Sequence, residues 1–278
     1  MVADMSQGIL PVCIFTKNRT GCACATVESV LENLSCSGRN IRWILCDDQS
    51  VPGHVEAVLQ VFRRHGAEPS VHRTTEARHG LGASMNMGLE DAFSDADKCL
   101  RMEDDWLLKR PLDLGPWVAK MDRLGIGSLR LGMMFRKRHE LKPFPGPDGD
   151  LLRVCSAYRQ LFTFNNQLAL VTREMHGLIG AYPENTPPPA VEKRGGNVYN
   201  RATEFGAKPP YVAWPATWET QVYYGDNMAF AHIGVSISGH KSMYWIPERY
   251  RGYNVPARDE ELRRAALQEA VGGKVGIL

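Results

Sequence analysis

The sequence predicts an α/β fold with a mainly parallel sheet flanked by helices, and three observations predict it. Short apolar, β-rich runs alternate with segments of helical period between residues 10 and 102. The intervening helices are about ten residues long, enough for the right-handed crossovers that join parallel strands. A run of acids then follows one apolar strand directly, at the edge where open α/β sheets take their ligands.

Leu10–Thr16 (LPVCIFT) reads as the first strand. Within Ala25–Leu34 the apolar residues Val27, Val30, Leu31 and Leu34 recur at the helical period. Ile41–Cys46 (IRWILC) is a second strand, ending in Asp47-Asp48. Val55–Phe62 is helical again, and Val71-His72-Arg73 forms a short third strand. Gly82–Phe93 reads as a helix entered through a glycine-rich turn, and Cys99–Met102 as the fourth strand. Beyond Trp106 the pattern loosens. Ser128–Phe135 and Gln167–Thr172 look like strands, Arg173–Ile179 like a short helix, and Tyr182–Tyr199 like a proline- and glycine-rich surface loop. Ala229–Ser238 is a late strand and Asp259–Val271 a charged C-terminal helix.

Composition excludes several classes. With 278 residues the chain is long enough to bury one large core, as a single domain of two closely joined halves. A hydrophobic content of 44% and a net charge of +2 are those of an ordinary globular protein, giving no prior for nucleic acid or membrane. No apolar run approaches the roughly 18 residues needed to cross a bilayer, and polar Met1–Gly8 lacks a signal-peptide profile. The seven cysteines (13, 22, 24, 36, 46, 99 and 155) are odd in number and scattered, without zinc spacing. A reduced, cytoplasmic protein is the expectation.

Glu103-Asp104-Asp105-Trp106 is the most informative stretch. Three adjacent acids repel one another unless a cation or a satisfied hydrogen-bond network compensates them. Mg²⁺ or Mn²⁺ is the natural compensation, because hard divalent ions favour carboxylate oxygens and are often shared with substrate phosphates. The alternative is a solvated acidic turn.

Taken together, the motifs resemble those of the nucleotide-sugar-dependent glycosyltransferases of the GT-A fold, especially family 2 types. A Thr-x-Asn-Arg turn after the first strand is matched by Thr16-Lys17-Asn18-Arg19, and Asp-Asp-x-Ser after the second by Asp47-Asp48-Gln49-Ser50. A Gly…Asn segment is matched loosely from Gly80 to Asn86, and the Asp-x-Asp metal motif by Glu103-Asp104-Asp105. The resemblance covers residues 10–110. It implies a GT-A (Rossmann-like) fold, with a nucleotide-sugar-binding half over residues 1–110 and an acceptor-binding, catalytic half over 111–278.

The resemblance also implies roles. Asp105 binds a Mn²⁺ or Mg²⁺ ion directly, while Glu103 and Asp104 hold metal-bound water or sugar and ribose hydroxyls. Thr16 and Asn18 belong to the donor-binding turn. Asp47 or Asp48 accepts hydrogen bonds from the base or ribose, a uridine by the base rate of the family, or forms a turn. Arg19 and Arg78 reach the diphosphate, and Asn86 helps hold the nucleotide or satisfies core polar groups. His232 is a further metal ligand or a core histidine. Inverting transfer requires a carboxylate that takes the acceptor's proton. Glu219, beside Trp214 and Trp218, and Asp226 are the two candidates. The acceptor is soluble. The basic run Arg136-Lys137-Arg138-His139 is either a solvated face or a guide for a polyanion such as hydroxymethylated DNA. A nucleotidyltransferase of similar fold, which needs a glycine-rich Gly-x-Gly-x-Arg turn, and a non-catalytic nucleotide-sugar-binding protein are the alternatives.

Overall fold

A computed structural model of the chain describes residues 8–132, 140–144, 149–155, 168–186, 209–215 and 229–233. The first half follows a strict alternation: β1 (Gly8–Thr16), α1 (Thr20–Asn33), the two-residue β2 (Leu34–Ser35), β3 (Arg39–Asp47), α2 (His54–Arg64), β4 (Ser70–Arg73), α3 (Gly80–Asp95) and β5 (Lys98–Glu103). Then come β6 (Trp106–Leu108), β7 (Leu112–Asp113), α4 (Gly115–Leu124), β8 (Ile126–Arg130), β9 (Glu140–Pro143), β10 (Leu151–Cys155), β11 (Ala169–Thr172), α5 (Arg173–Ile179), β12 (Tyr211–Pro215) and β13 (Phe230–His232).

Nine of these strands form one sheet in the order β4-β3-β1-β5-β11-β8-β12-β10-β9. β1, β3, β4 and β5 run parallel. β11 inserts antiparallel between β5 and β8, so strands from both halves of the chain share one sheet. β1 is central because it is apolar on both faces: Leu10, Val12, Cys13 and Ile14 are all fully buried, as a parallel strand covered on both sides requires. Its register sets the site. Thr16 lies beside Asp47 and Phe15 beside Glu103, bringing the C-terminal ends of β1, β3 and β5 level.

The sequence reading of the first half holds closely. α1 begins five residues before the expected Ala25, because small residues (Thr20, Gly21, Cys22, Ala23, Cys24) pack its first turns against the protein. The six cysteines at 13, 22, 24, 36, 46 and 99 are buried and are not joined in disulfides. In the second half, α4, β6, β7, β9, β10 and β12 were not foreseen. α4 starts with Pro116 in its first turn and stops at Gly125, whose φ of 64° is the left-handed cap that glycine favours. β8 ends at Arg130, short of the expected Phe135, whose position lies outside the described residues. The expected strand at Ala229–Ser238 is described as β13 up to His232, and the expected C-terminal helix lies outside the described residues. Among the described residues no helix is long and apolar enough to cross a membrane.

Two arginines are buried in the sheet: Arg101 and Arg130 both flank Ala169, on β5 and β8. Arg101 Nη1 donates to the Tyr182 hydroxyl at 2.6 Å. Burial, reinforced by the Arg101 charge, pushes Arg130 down to about 9. Tyr182 belongs to the segment after α5, which lies on the start of α3. There Gly82 is required by space, since a Cβ at that position would sit 1.9 Å from the Pro183 carbonyl oxygen. Gly82→Ala should therefore lower the unfolding free energy by about 1–3 kcal/mol, the usual cost of overpacking. Urea denaturation measures it, and an unchanged midpoint would contradict the close approach.

Candidate active site

The site lies at the level C-terminal ends of β1, β3 and β5, where the chain leaves each strand in a turn. After β5 the backbone N–H of Asp104 donates to the Phe15 carbonyl at 3.0 Å, holding the acidic turn against β1. Thr26, on α1, donates its hydroxyl to the Asp104 carbonyl at 2.9 Å. These two bonds fix the backbone of Asp104, which is fully buried.

A buried carboxylate must be paired and hydrogen-bonded. Asp104 Oδ2 accepts the Thr16 hydroxyl at 2.6 Å and the Lys17 backbone N–H at 3.4 Å. Asp104 Oδ1 and Asp105 Oδ2 each accept one arm of the Arg19 guanidinium. Burial works against the charge on Arg19. The facing Asp104 and Asp105 outweigh it, so its pKa lies well above the ordinary value. Asp105 is itself 3% exposed.

The turns after β1 and β3 interlock. Asn18 adopts the left-handed conformation (φ 59°), its N–H donates to Ser50 Oγ at 2.8 Å, and its Oδ1 accepts from the Val51 N–H at 2.7 Å. Asp47 is fully buried and accepts from the Ser50 N–H at 3.3 Å and from Arg73 Nε at 3.1 Å. Asp48 accepts from Lys17 Nζ (2.8 Å), Thr74 Oγ1 (2.9 Å) and the Gly80 N–H (2.8 Å). Burial raises its pKa, but these donors prevail and hold it below the ordinary value. Behind Thr16 stands His54, 1% exposed, with Nε2 2.8 Å from the Thr16 hydroxyl and Nδ1 2.8 Å from that of Thr20.

The structure thus brings together Thr16, Asn18, Arg19, Asp47, Asp48, Glu103, Asp104 and Asp105. It pairs Arg78 with acids outside this cluster, and it has Asn86 satisfying backbone and core polar groups, one of its two expected roles. Arg78 Nε donates to both Glu184 oxygens at 2.8 Å, and this hydrogen bonding, helped by Asn86, holds Glu184 below the usual carboxylate range. Asn86 donates to the Tyr182 carbonyl (3.0 Å) and to Glu184 (2.7 Å), and accepts the Tyr182 N–H at 2.8 Å. Both clamp the segment after α5 onto α3, because Glu184 offers a carboxylate to both. Trp214 is 2% exposed and lies within the core on β12. Glu219, Asp226 and Trp218 lie outside the described residues. The backbone of His232 pairs with Trp106, and the next N–H, of Ile233, donates to the Asp105 carbonyl at 2.7 Å. The sequence reading assigned no role to Lys17, Thr74 or His54. Lys17 lies inside the Thr16–Arg19 turn and was within reach of it, whereas Thr74 and His54 carry no local signal.

Among the described residues no three His, Cys, Asp or Glu side chains gather as a metal cluster. The donor set nevertheless suits a hard divalent ion. Two buried carboxylates lie side by side, and a guanidinium already supplies the positive charge they need.

The fold is that of the GT-A glycosyltransferases. Residues 12–136 match the family model described as glycosyl transferase family 2. Among solved structures, the chain is similar to S. aureus TarS 1–349 in complex with UDP-GlcNAc, at 14% identity and a TM-score of 0.51, over 95% of this chain and 71% of that one. It is also similar to an active-site mutant of LgtC, at 13% identity and a TM-score of 0.50, over 88% and 95%. Against another structure of TarS 1–349 (13% identity, TM-score 0.50) the match covers 76% of this chain and 60% of that one. At such identities the likeness is one of fold. No curated protein matches the sequence.

The Asp48 network has a pH consequence. A carboxylate whose folded pKa is depressed stabilises the fold above its unfolded value of about 3.9, and that contribution fades as pH falls through the folded value. The stability gap between the wild type and Asp48→Asn should be present at pH 7 and close as the solution is acidified below about pH 4. Urea melts across that range measure it, and a gap that widens on acidification would contradict the assignment.

Proposed function

We propose that this glycosyltransferase moves a sugar from a UDP-sugar to a hydroxyl of a soluble acceptor, with inversion, using Mn²⁺ or Mg²⁺. The observation that carries the reading is the Asp104–Asp105 pair at the end of β5, compensated by Arg19 and flanked by the β1 and β3 turns. The UDP-GlcNAc bound to TarS supports a uridine donor. The division of labour follows: residues 1–110 hold the donor, and 111–278 carry the acceptor site and the base.

Asp105 holds the ion, with His232 as a further ligand. His232's backbone runs beside that of Trp106, next to Asp105. When bound, the ion neutralises charge that develops on the departing nucleoside diphosphate. Asp104 and Glu103 orient metal-bound water or the donor's hydroxyls. Arg19, released from the carboxylates once another cation serves them, turns its two-pronged guanidinium to the diphosphate. Asp48, held ionised by Lys17, Thr74 and Gly80, accepts from the base or ribose, and buried Asp47 keeps the turn closed. Glu219 or Asp226, outside the described residues, takes the proton of the attacking hydroxyl. Hydroxymethylated DNA as the acceptor rests on the basic run at 136–139, also outside the described residues. The buried cysteines, not joined in disulfides among the described residues, favour a reducing compartment such as the cytoplasm.

Slow hydrolysis of the donor without an acceptor tests the reading. In a screen of UDP-, GDP- and dTDP-sugars, one should be hydrolysed only with Mn²⁺ or Mg²⁺ present. Asp105→Asn should slow it roughly 10- to 100-fold or more in a variant that circular dichroism shows to be folded at the assay temperature. Hydrolysis that ignores both the ion and Asp105 would contradict the proposal.

A further inference from the structure

His54 opens α2, immediately after Gly53, whose φ of 87° places the histidine beneath the turn that follows β1. Both of its ring nitrogens lie within hydrogen-bonding distance of threonine hydroxyls, Nε2 to Thr16 and Nδ1 to Thr20. Thr16 has one hydroxyl hydrogen, and at 2.6 Å from Asp104 Oδ2 that hydrogen is committed to the carboxylate. The Thr16 oxygen can then only accept from His54, so Nε2 carries the ring proton. In the neutral ring Nδ1 is the acceptor, and Thr20 donates to it. The result is a single directed chain: Thr20 O–H to Nδ1, Nε2–H to the Thr16 oxygen, Thr16 O–H to Asp104 Oδ2.

We infer that His54 is a positioning residue for the donor site, acting through Thr16 to aim the Asp104 carboxylate. Resting on the proposed metal-dependent reaction, the inference adds a residue that touches neither donor nor ion. Thr16 without His54 is free to turn its hydrogen elsewhere, and Asp104 then loses the bond that balances the pull of Arg19. Partners of this kind, standing behind a carboxylate that surrounds a metal site, typically change affinity or activity by roughly 10- to 100-fold.

The direction of the chain separates positioning from simple core filling. A glutamine at this position carries an amide N–H about as far from the backbone as Nε2, whereas the asparagine amide reaches only as far as Nδ1. His54→Gln should keep the affinity for UDP in the presence of Mn²⁺ within a few-fold of the wild type, as measured by calorimetry. His54→Asn should weaken it roughly 10- to 100-fold, with a matching rise in donor KM and a smaller change in kcat. Equal affinity in both variants, with the wild type binding normally, overturns the inference and leaves the proposed function standing. A wild type that binds no UDP with Mn²⁺ overturns both. Because a buried substitution can prevent folding, nitrogen NMR of histidine-labelled wild type gives a second reading. The Nε2–H tautomer at His54 is expected, and the Nδ1–H tautomer overturns the inference.

Discussion

Two carboxylates lie side by side at the end of β5 with almost no access to water, and every neighbouring element is arranged around their charge. In a low-dielectric setting two such groups cannot both stay ionised without nearby cations and donors. Arg19 supplies the cation, bridging Asp104 and Asp105. Thr16 and the Lys17 N–H supply donors. All three belong to the turn that ends β1. The motif after the first strand and the motif after the fourth long strand are therefore two halves of one electrostatic unit.

That unit depends on the register of the sheet. Pairing Thr16 with Asp47 and Phe15 with Glu103 levels the strand ends, and a slip of one residue would carry each side chain to the other face. Asn18 and Ser50 then lock the first two turns together. Lys17 links them to Asp48, and Asp48 reaches the N–H of Gly80 at the start of α3. Under the proposed function, donor recognition and fold stability draw on the same hydrogen bonds, so substitutions here are expected to affect both.

The legible part of the molecule is the part built from local patterns. β1, β5 and the C-terminal part of β3 were readable because both faces are buried there, leaving largely apolar runs that stop abruptly at polar residues. The acidic triplet was readable because its neighbours Cys99, Leu100 and Met102 marked the end of a buried strand. The second half was poorly legible for the opposite reason. β7 is two residues long, β9 and β10 are short antiparallel neighbours, and β12 is held by β10 and β8, both distant in sequence, rather than by any periodicity of its own. In the site, Asp104, Asp105 and Arg19 announced themselves by charge. Arg78 and Asn86 looked equally eligible, but Glu184, about a hundred residues away, claims both. His54 escaped notice because its importance lies wholly in which hydroxyls it meets, and these come from two other elements, the end of β1 and the start of α1.

The central claim is that the charge now shared between Arg19 and the two aspartates is the charge that binds the sugar donor. A crystal structure with Mn²⁺ and UDP, with the ion located by its anomalous scattering, tests this most directly. The account predicts an anomalous peak at Asp105, with the Arg19 guanidinium moved from the carboxylates to the diphosphate. An ion bound elsewhere, with Arg19 still bridging Asp104 and Asp105 while UDP is present, would contradict it.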